Sequence, residues 1–343
     1  MSHSMLAAVL EGAGQPLRII RVPRPEPGPG EILVRLEASG ICHTDVHVWQ
    51  GHLRPMSGQQ PAILGHEGVG KVVQLGAGVT DWRLGERAGV AWLHDTCGRC
   101  DECRSDMESF CQHQRAHGFD VAGTFAEYVV ADARFAARMP EDGDAAVLAP
   151  LLCAGLTAYG AVMRAGIVAG ETCAVFGCGG LGLYAVQIAR RLGATIVAVD
   201  TDEAKLHLAA SLGADHVLLA SPGLADKWPV NLRAHVCINF APTPATWDAM
   251  IAAIRPRGRI IAAAMVSQPV PLNQEWLTAT GVWITGTSVG TRAQMHELIR
   301  LHQAQAFEAQ VQRVTLAEAT SALKRLKAGN AEGRQAIVFG GGI

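Results

Sequence analysis

Val175-Phe-Gly177-Cys-Gly179-Gly180-Leu-Gly182 stands between a β-rich run, Thr172 to Phe176, and a helical one, Leu181 to Leu192. In that setting G-x-G-x-x-G reads as a dinucleotide-binding turn. Its glycines let the backbone approach a pyrophosphate, and the helix that follows offers unpaired amides to it. A lone match carries little weight. Here the next strand, Thr195 to Asp200, ends on an acid 200 − 177 = 23 positions beyond the first glycine, where a carboxylate holds the adenosine ribose hydroxyls. Asp200 repels a 2′-phosphate and Thr201 offers no guanidinium, so NAD is expected rather than NADP, with Lys205 adding a ribose contact. The plain alternative is a glycine turn that serves packing only, and strand, acid and helix together weigh against it. FAD is disfavoured because such fingerprints usually stand near the start of a chain.

Working outward, helix Asp202 to Leu212 follows, then strands at His216 to Leu219, Val236 to Phe240, Arg259 to Ala264 and Val282 to Thr287, with a helical stretch at Ala245 to Ile254. Strands alternating with helices imply βαβ units, and uniformly apolar runs such as Ile196-Val-Ala-Val199 imply burial on both faces, hence a doubly wound parallel sheet. Upstream the pattern differs. Closely spaced prolines from Arg21 to Glu31 force an extended connection. Short β-rich runs bounded by glycine, Ile32 to Ala38, Gly68 to Leu75 and Thr124 to Val130, indicate a mostly β, barrel-like unit over the first 150 or so residues. The tail from Thr291 reads as helix (Ala293 to Gln303), extended piece (Ala309 to Val314), helix (Leu316 to Leu326) and strand (Gln335 to Phe339), and composition alone assigns it to neither unit.

A length of 343 residues fits two domains. With 49% apolar and 17% charged residues and 38 glycines, disorder, collagen and a disulfide mini-scaffold are excluded. The formal charge, 29 − 31 = −2, provides no field for phosphate backbones or anionic lipid, so neither nucleic acid nor membrane is expected as a partner. The first ten residues lack the basic start and long apolar run of an export signal, which points to a cytoplasmic protein. Ala145 to Met163 carries no charge, but Pro150, Gly155 and Gly160 make it buried structure rather than a membrane span.

Four of the nine cysteines, Cys97, Cys100, Cys103 and Cys111, fall within fifteen positions. Four thiolates at that density surround one Zn²⁺ and leave no open position, so the site is structural, and iron–sulfur ligation or free thiols are the alternatives. Asp101, Glu102, Asp106 and Glu108 make this loop too acidic for nucleic acid. Cys173, Cys178 and Cys237 lie in apolar runs and read as inert core thiols. A second set is scattered: Gly40-Ile-Cys42-His43-Thr44-Asp45-Val-His47, Gly65-His66-Glu67-Gly68 and Pro150-Leu-Leu-Cys153 place thiol, imidazole and carboxylate in what read as turns between strands. Each alone has a bland reading as core or satisfied polar residue. Together, Cys42, His66 and Cys153 supply the three ligands of a catalytic zinc with an open position, Glu67 can coordinate in the resting state, and Asp45 can set the His66 tautomer.

On these residues the chain resembles a zinc-dependent alcohol dehydrogenase of the medium-chain dehydrogenase/reductase superfamily, of the microbial and yeast type. The marks are G-I-C-H-T-D-V-H (40 to 47), G-H-E-G-V-G (65 to 70), the four-cysteine lobe, L-C-A-G-L-T (152 to 157), G-C-G-G-L-G (177 to 182) and E-G-R (332 to 334). The resemblance implies a GroES-like, mostly β catalytic domain at 1–152 with a structural-zinc lobe at about 94–113. It further implies a Rossmann NAD-binding domain at 153–289, a segment 290–343 returning to the catalytic domain, two zinc ions per subunit and a homotetramer. His43 and Arg334 would contact the cofactor pyrophosphate. Gly177, Gly179, Gly180, Leu181 and Gly182 would cradle it, Thr157 would lie by the nicotinamide, and Val289 would add a further cofactor contact.

The implied chemistry is oxidoreduction of an alcohol: zinc acidifies the hydroxyl, hydride leaves for the nicotinamide, and Thr44 passes the proton through the cofactor ribose to His47. Leu53 stands where ethanol-handling relatives carry Trp, while Trp92 matches theirs, so a pocket lined by Thr44, Leu53 and Trp92 should take longer or bulkier alcohols and aldehydes. The rivals are another zinc member of the superfamily (polyol, threonine or cinnamyl-alcohol type), a zinc-free quinone reductase, which needs neither metal set, and a non-catalytic, redox-sensing zinc protein. That last reading leaves Cys42, His66, Cys153 and the glycine motif unexplained.

Overall fold

Apolar runs such as Thr195–Asp200 are buried on both faces only between layers of helix, and the segment Gly155–Gly290 folds in that way. Its six strands lie in the order His216–Leu219, Thr195–Asp200, Thr172–Phe176, Ala234–Asn239, Ile254–Ala262, Trp283–Gly286, every pair parallel. The order reverses direction at Thr172–Phe176, the topological switch point of such sheets, and the glycine motif is the turn that leaves this strand. Helix Gly182–Arg191 turns its first eight residues into the core, and helix Glu203–Ser211 is capped by Asp202, whose carboxylate accepts the Ala204 amide at 2.8 Å. On one side of the sheet Phe176 stacks on Trp228 with ring centroids 5.8 Å apart.

This computed structural model describes residues 3–53 and 62–340. A second unit combines the chain up to Ala154 with the segment from Thr291 onward. Its sheet runs Val311–Val314, Arg334–Val338, Glu31–Ile41, Gly68–Leu75, Arg87–Val90, Ala137–Arg138, and Tyr128–Asp132 also pairs with Glu31–Ile41. Eleven residues make Glu31–Ile41 long enough to serve three partners. The tail is tied in by Gln335–Val338, which pairs antiparallel with Ala38–Ile41. A hairpin of Ser4–Val9 and Arg18–Pro23 adds to this unit and is not evident from the sequence, because the second strand runs into the proline-rich connection.

Several expectations are corrected. The division falls after Ala154 rather than after residue 152, so Cys153 belongs to the mostly β unit; the 3₁₀ turn Ala149–Leu152 ahead of it is fully buried there. The strand expected at Thr124 to Val130 begins only at Tyr128. Thr124 and Phe125 instead donate their amides to Gly65 and Leu64, as a crossing segment. The helix expected from Leu316 opens as a 3₁₀ turn, Leu316–Glu318, before the α-helix Ala319–Lys327. Ala145 to Met163 is buried in two helical pieces, Ala145–Leu152 and Ala154–Ala165, bent by 41° at their junction. The two pass together as a broken span by length and composition, but no single helix among the described residues is long and apolar enough to cross a membrane.

His117 is fully buried in this unit, with Nδ1 2.9 Å from the Ala91 carbonyl and Nε2 3.2 Å from that of Val130. Burial, aided by His94 at 4.9 Å between ring centroids, pushes its pKa down to about 3. The unfolded chain binds this proton near pH 6.5 and the native state does not, so stability is fully present above pH 6.5 and drains away as pH falls toward 3. Between pH 6.5 and 4.5 this single group should remove about 2 to 3 kcal/mol, measured by urea unfolding, and His117→Asn should flatten that part of the profile relative to the wild type. An unchanged slope would refute the assignment.

Candidate active site and metal centres

One buried carboxylate joins two loops. Cys42 follows strand Glu31–Ile41 and caps the helix His43–Trp49; its amide donates to Asp45 Oδ2 at 2.8 Å. Asp45 Oδ1 accepts the Gly65 amide at 3.2 Å and lies 3.2 Å from His66 Nδ1. The segment carrying His43, Thr44 and His47 is therefore helical, not the expected turn. The spacing Cys42-x-x-Asp45 is that of a capping box, the signal in the sequence that marks the helix start.

With Nδ1 held by Asp45, the His66 ring turns Nε2 inward, a buried atom that finds no hydrogen-bond partner. Cys42 Sγ lies 3.8 Å from Cys153 Sγ, and ligand atoms of Cys42, His66, Glu67 and Cys153, all buried, lie within 4.8 Å of one another. A tetrahedron with zinc–sulfur distances of about 2.3 Å has an edge of about 3.8 Å, so the thiols are spaced as two ligands of one ion. The hydrogen bond with Cys153 holds the Cys42 thiol well below its usual range against burial, with His66 and Arg334 adding to the effect. The same contact, with burial, pushes Cys153 well above it. Two sulfurs this close in a buried setting repel each other as anions; a dication is what lets both ionise, and the site fits zinc.

Glu67 is fully buried, and its Oε1 accepts Arg334 Nη2 at 2.5 Å. Burial lifts its pKa to about 7 against the pull of that guanidinium. Its Oε2, among the ligand atoms, has no partner. Room for this carboxylate comes from Gly40, where a Cβ would stand 1.8 Å from Glu67 Oε2. Arg334, expected at the pyrophosphate, is in this structure turned onto Glu67; a buried guanidinium requires such a counter-charge, and its Nε stays unpartnered.

The second cluster is closed. Cys97 and Cys103 stand 3.9 Å apart between sulfurs, Cys100 and Cys103 3.4 Å, and Cys111 and Cys97 3.6 Å, again near the tetrahedral edge, around the short helix Asp101–Arg104. Cys173, Cys178 and Cys237 are buried apart from both sets, and burial pushes the first two up to about 12.

Around the catalytic set, Thr44 Oγ1 lies 3.8 Å from Cys42 Sγ. His43 is exposed and His47 half-buried on the same helix, with their ring centroids 6.5 Å apart and His52 6.1 Å from His47. Trp92 meets His66 edge-on at 5.1 Å and tilts onto Phe119 at 5.6 Å, a partner nothing in the sequence announces. Leu53 packs against the core containing Val46 and Trp49; residues 54–61, which continue from it, lie outside the described residues.

In the parallel-sheet unit, Gly177 adopts φ +90°, and a Cβ on Gly182 would stand 1.9 Å from the Gly177 carbonyl oxygen, so this turn closes only with glycine. Gly179 and Gly180 complete it, and Leu181 precedes helix Gly182–Arg191 without a side-chain cap, leaving first-turn amides for an anion. Asp200 is oriented by the Cys178 amide at 2.6 Å and the Asp202 amide at 3.0 Å. Lys205 Nζ lies 3.8 Å from Asp202 Oδ2, Thr157 is buried in helix Ala154–Ala165, and Val289 takes a left-handed backbone, φ +46°.

Comparison with known proteins agrees. The family model of the alcohol dehydrogenase GroES-like domain matches residues 28–141, and that of the zinc-binding dehydrogenases matches residues 180–304. An alcohol dehydrogenase of Moraxella sp. (strain TAE123) is 36% identical over 337 residues, covering 98% of this chain and 99% of the relative. A thermostable alcohol dehydrogenase from Pyrobaculum aerophilum superposes with a TM-score of 0.88 at 30% identity, covering 98% of this chain and all of the other. An acetophenone reductase from Geotrichum candidum, solved in complex with NAD, gives 0.86 at 29% identity, with 98% of each chain covered.

The two thiolate sets should separate under mutation. Cys42→Ser should lose one zinc by elemental analysis and abolish turnover while keeping a native melting profile. Cys97→Ser should lose the other zinc and lower Tm. If both merely unfold, the division into catalytic and structural sites is refuted.

Proposed function

The chain belongs to the zinc-dependent alcohol dehydrogenases of the medium-chain dehydrogenase/reductase superfamily, and on that footing we propose that it oxidises a primary or secondary alcohol to the aldehyde or ketone with NAD, and catalyses the reverse reduction. The observation that carries this reading is the convergence of Cys42, His66 and Cys153, through Asp45, on one buried point where His66 Nε2 has no protein partner. When bound, zinc supplies Lewis acidity toward an alcohol oxygen and the nicotinamide supplies a hydride acceptor.

The rest falls to the chain. Asp45 fixes the His66 tautomer; Glu67, paired with Arg334, stands ready as an alternative ligand. Thr44 takes the alcohol proton at its hydroxyl, and His47, three residues on along the same helix, delivers it to solvent. For the cofactor, the roles are amides of the Gly177 to Gly182 turn and His43 at the pyrophosphate, Asp200 and Lys205 at the adenosine ribose, Thr157 at the nicotinamide, and Val289 as a further contact. Arg334 keeps an unpartnered Nε for the same anion. The family puts the activity among the CH–OH oxidoreductases of the alcohol dehydrogenase type, and Leu53 beside Thr44 and Trp92 supports a pocket wider than an ethanol-specific one. The chain works as a cytoplasmic homotetramer, a reading supported by the family resemblance alone.

Steady-state rates over alcohols and aldehydes with NAD and NADP test this directly: hexanol and benzyl alcohol should exceed ethanol in kcat/KM, and NAD should exceed NADP. A strong ethanol preference would sink the wide pocket, and preference for NADP the role of Asp200. Burial and neighbouring His52 hold the His47 pKa below its usual 6.5. Because the neutral ring accepts the proton, alcohol oxidation should persist below pH 6.5 and fall only beneath that lowered value. His47→Gln should lower kcat by about tenfold or more and remove this acid limb.

A further inference from the structure

Glu108 lies inside the four-cysteine lobe, between Cys103 and Cys111, yet the thiolate shell makes no use of it. Its buried carboxylate reaches a residue 184 positions away: Oε1 accepts the Arg292 backbone amide at 2.9 Å and the Arg292 Nε at 3.2 Å. A buried carboxylate is costly unless charge and hydrogen bonds answer it, and here both come from the first residue of helix Arg292–Ala304. That helix start is held twice more. Thr291 and Gln294 form a capping box, with the Thr291 amide 3.0 Å from Gln294 Oε1, and the Arg292 guanidinium sits 4.2 Å above the Phe135 ring.

The place so firmly held is a junction. The chain passes from the parallel-sheet unit back to the β-rich unit between Gly290 and Thr291. Val289, one residue earlier, takes φ +46°, a conformation that costs a β-branched residue about 1–3 kcal/mol and persists only where its surroundings enforce it. The same helix packs on the turn Ala149–Leu152, which runs into Cys153 and the other passage, after Ala154.

We infer that Glu108 is a positioning residue for cofactor binding: by gripping the first residue of helix Arg292–Ala304, it holds the backbone at Val289 and Gly290 in the form that meets the dinucleotide. This rests on the reading that the parallel-sheet unit binds NAD with Val289 among its contacts. The lobe then does more than stiffen the protein. Its metal-fixed loop is the base from which Glu108 reaches, so an element with no open coordination position acts on the affinity for NAD.

The test uses the zinc-loaded enzyme with NADH, whose binding is followed by its own fluorescence, alongside steady-state kinetics. Glu108→Gln, which keeps size and removes charge, and Arg292→Gln should each raise the Kd for NADH and the KM for NAD about fivefold, with kcat within about twofold and both zinc ions retained. The double variant should be little worse than either single one, because both remove one contact. Glu108→Asp, which keeps the charge, should recover part of the loss. A lower Tm with unchanged Kd in the single variants makes Glu108 a helix cap only and overturns the inference. If wild type itself fails to bind NADH, the NAD reading falls and takes this one with it; if wild type binds and the variants bind equally, only this one falls. Should Glu108→Gln not fold, Arg292→Gln decides, since that side chain is 43% exposed and its loss leaves the backbone bond to Glu108 in place.

Discussion

The Asp45 carboxylate is the contact on which the buried ligand set of Cys42, His66, Glu67 and Cys153 depends. It accepts the Cys42 amide, the Gly65 amide and the His66 ring proton, so two segments twenty residues apart are registered by a single side chain. An ionised carboxylate this deeply buried is tolerable only with several donors, and the three it finds are the ones that aim the ligands. Asp45 also closes the capping box of the helix His43–Trp49, which carries Thr44 in its first turn and His47 in the next. Ligand geometry and the proposed proton path thus share one origin in local backbone chemistry.

Charge balance around the site follows a second constraint. Two thiols 3.8 Å apart in a buried setting cannot both ionise unaided, and Glu67 beside them is pushed toward neutrality by burial even as Arg334 draws its proton off. The set is anion-rich by construction, and the buried Arg334 guanidinium is paired with Glu67. A divalent cation resolves this excess, which is why the same residues that look frustrated as a bare protein make sense as a zinc centre. The four-cysteine lobe meets the same need differently, with a closed thiolate shell on a loop nearer the surface, leaving its chemistry spent on shape and, through Glu108, on the start of a distant helix.

What the sequence determined by itself is local and periodic. Strands Thr172–Phe176, Thr195–Asp200 and His216–Leu219 fall where apolar runs and turns set them, because burial on both faces leaves no alternative to a continuous apolar run. The glycine turn with Asp200, and the dense cysteine spacing, were legible for the same reason: each is one short stretch whose residues must act on each other directly. The helix His43–Trp49 was not, since seven residues rich in β-branched side chains carry little helical periodicity, and only the Cys42–Asp45 cap reveals it. Nor was the hairpin Ser4–Val9 with Arg18–Pro23, hidden by prolines.

Only the tertiary structure decided which distant groups meet. Cys42 finds Cys153 across 111 positions, Glu67 finds Arg334 across 267, and Glu108 finds Arg292 across 184. No periodicity encodes such pairs. They depend on sheet register, above all the pairing of Gln335–Val338 with Ala38–Ile41, which carries Arg334 to the end of the strand that leads into Cys42. The sequence names the chemistry because residue types and short spacings fix what groups can do; the fold chooses partners because burial of charge is settled only once strands from opposite ends of the chain lie side by side.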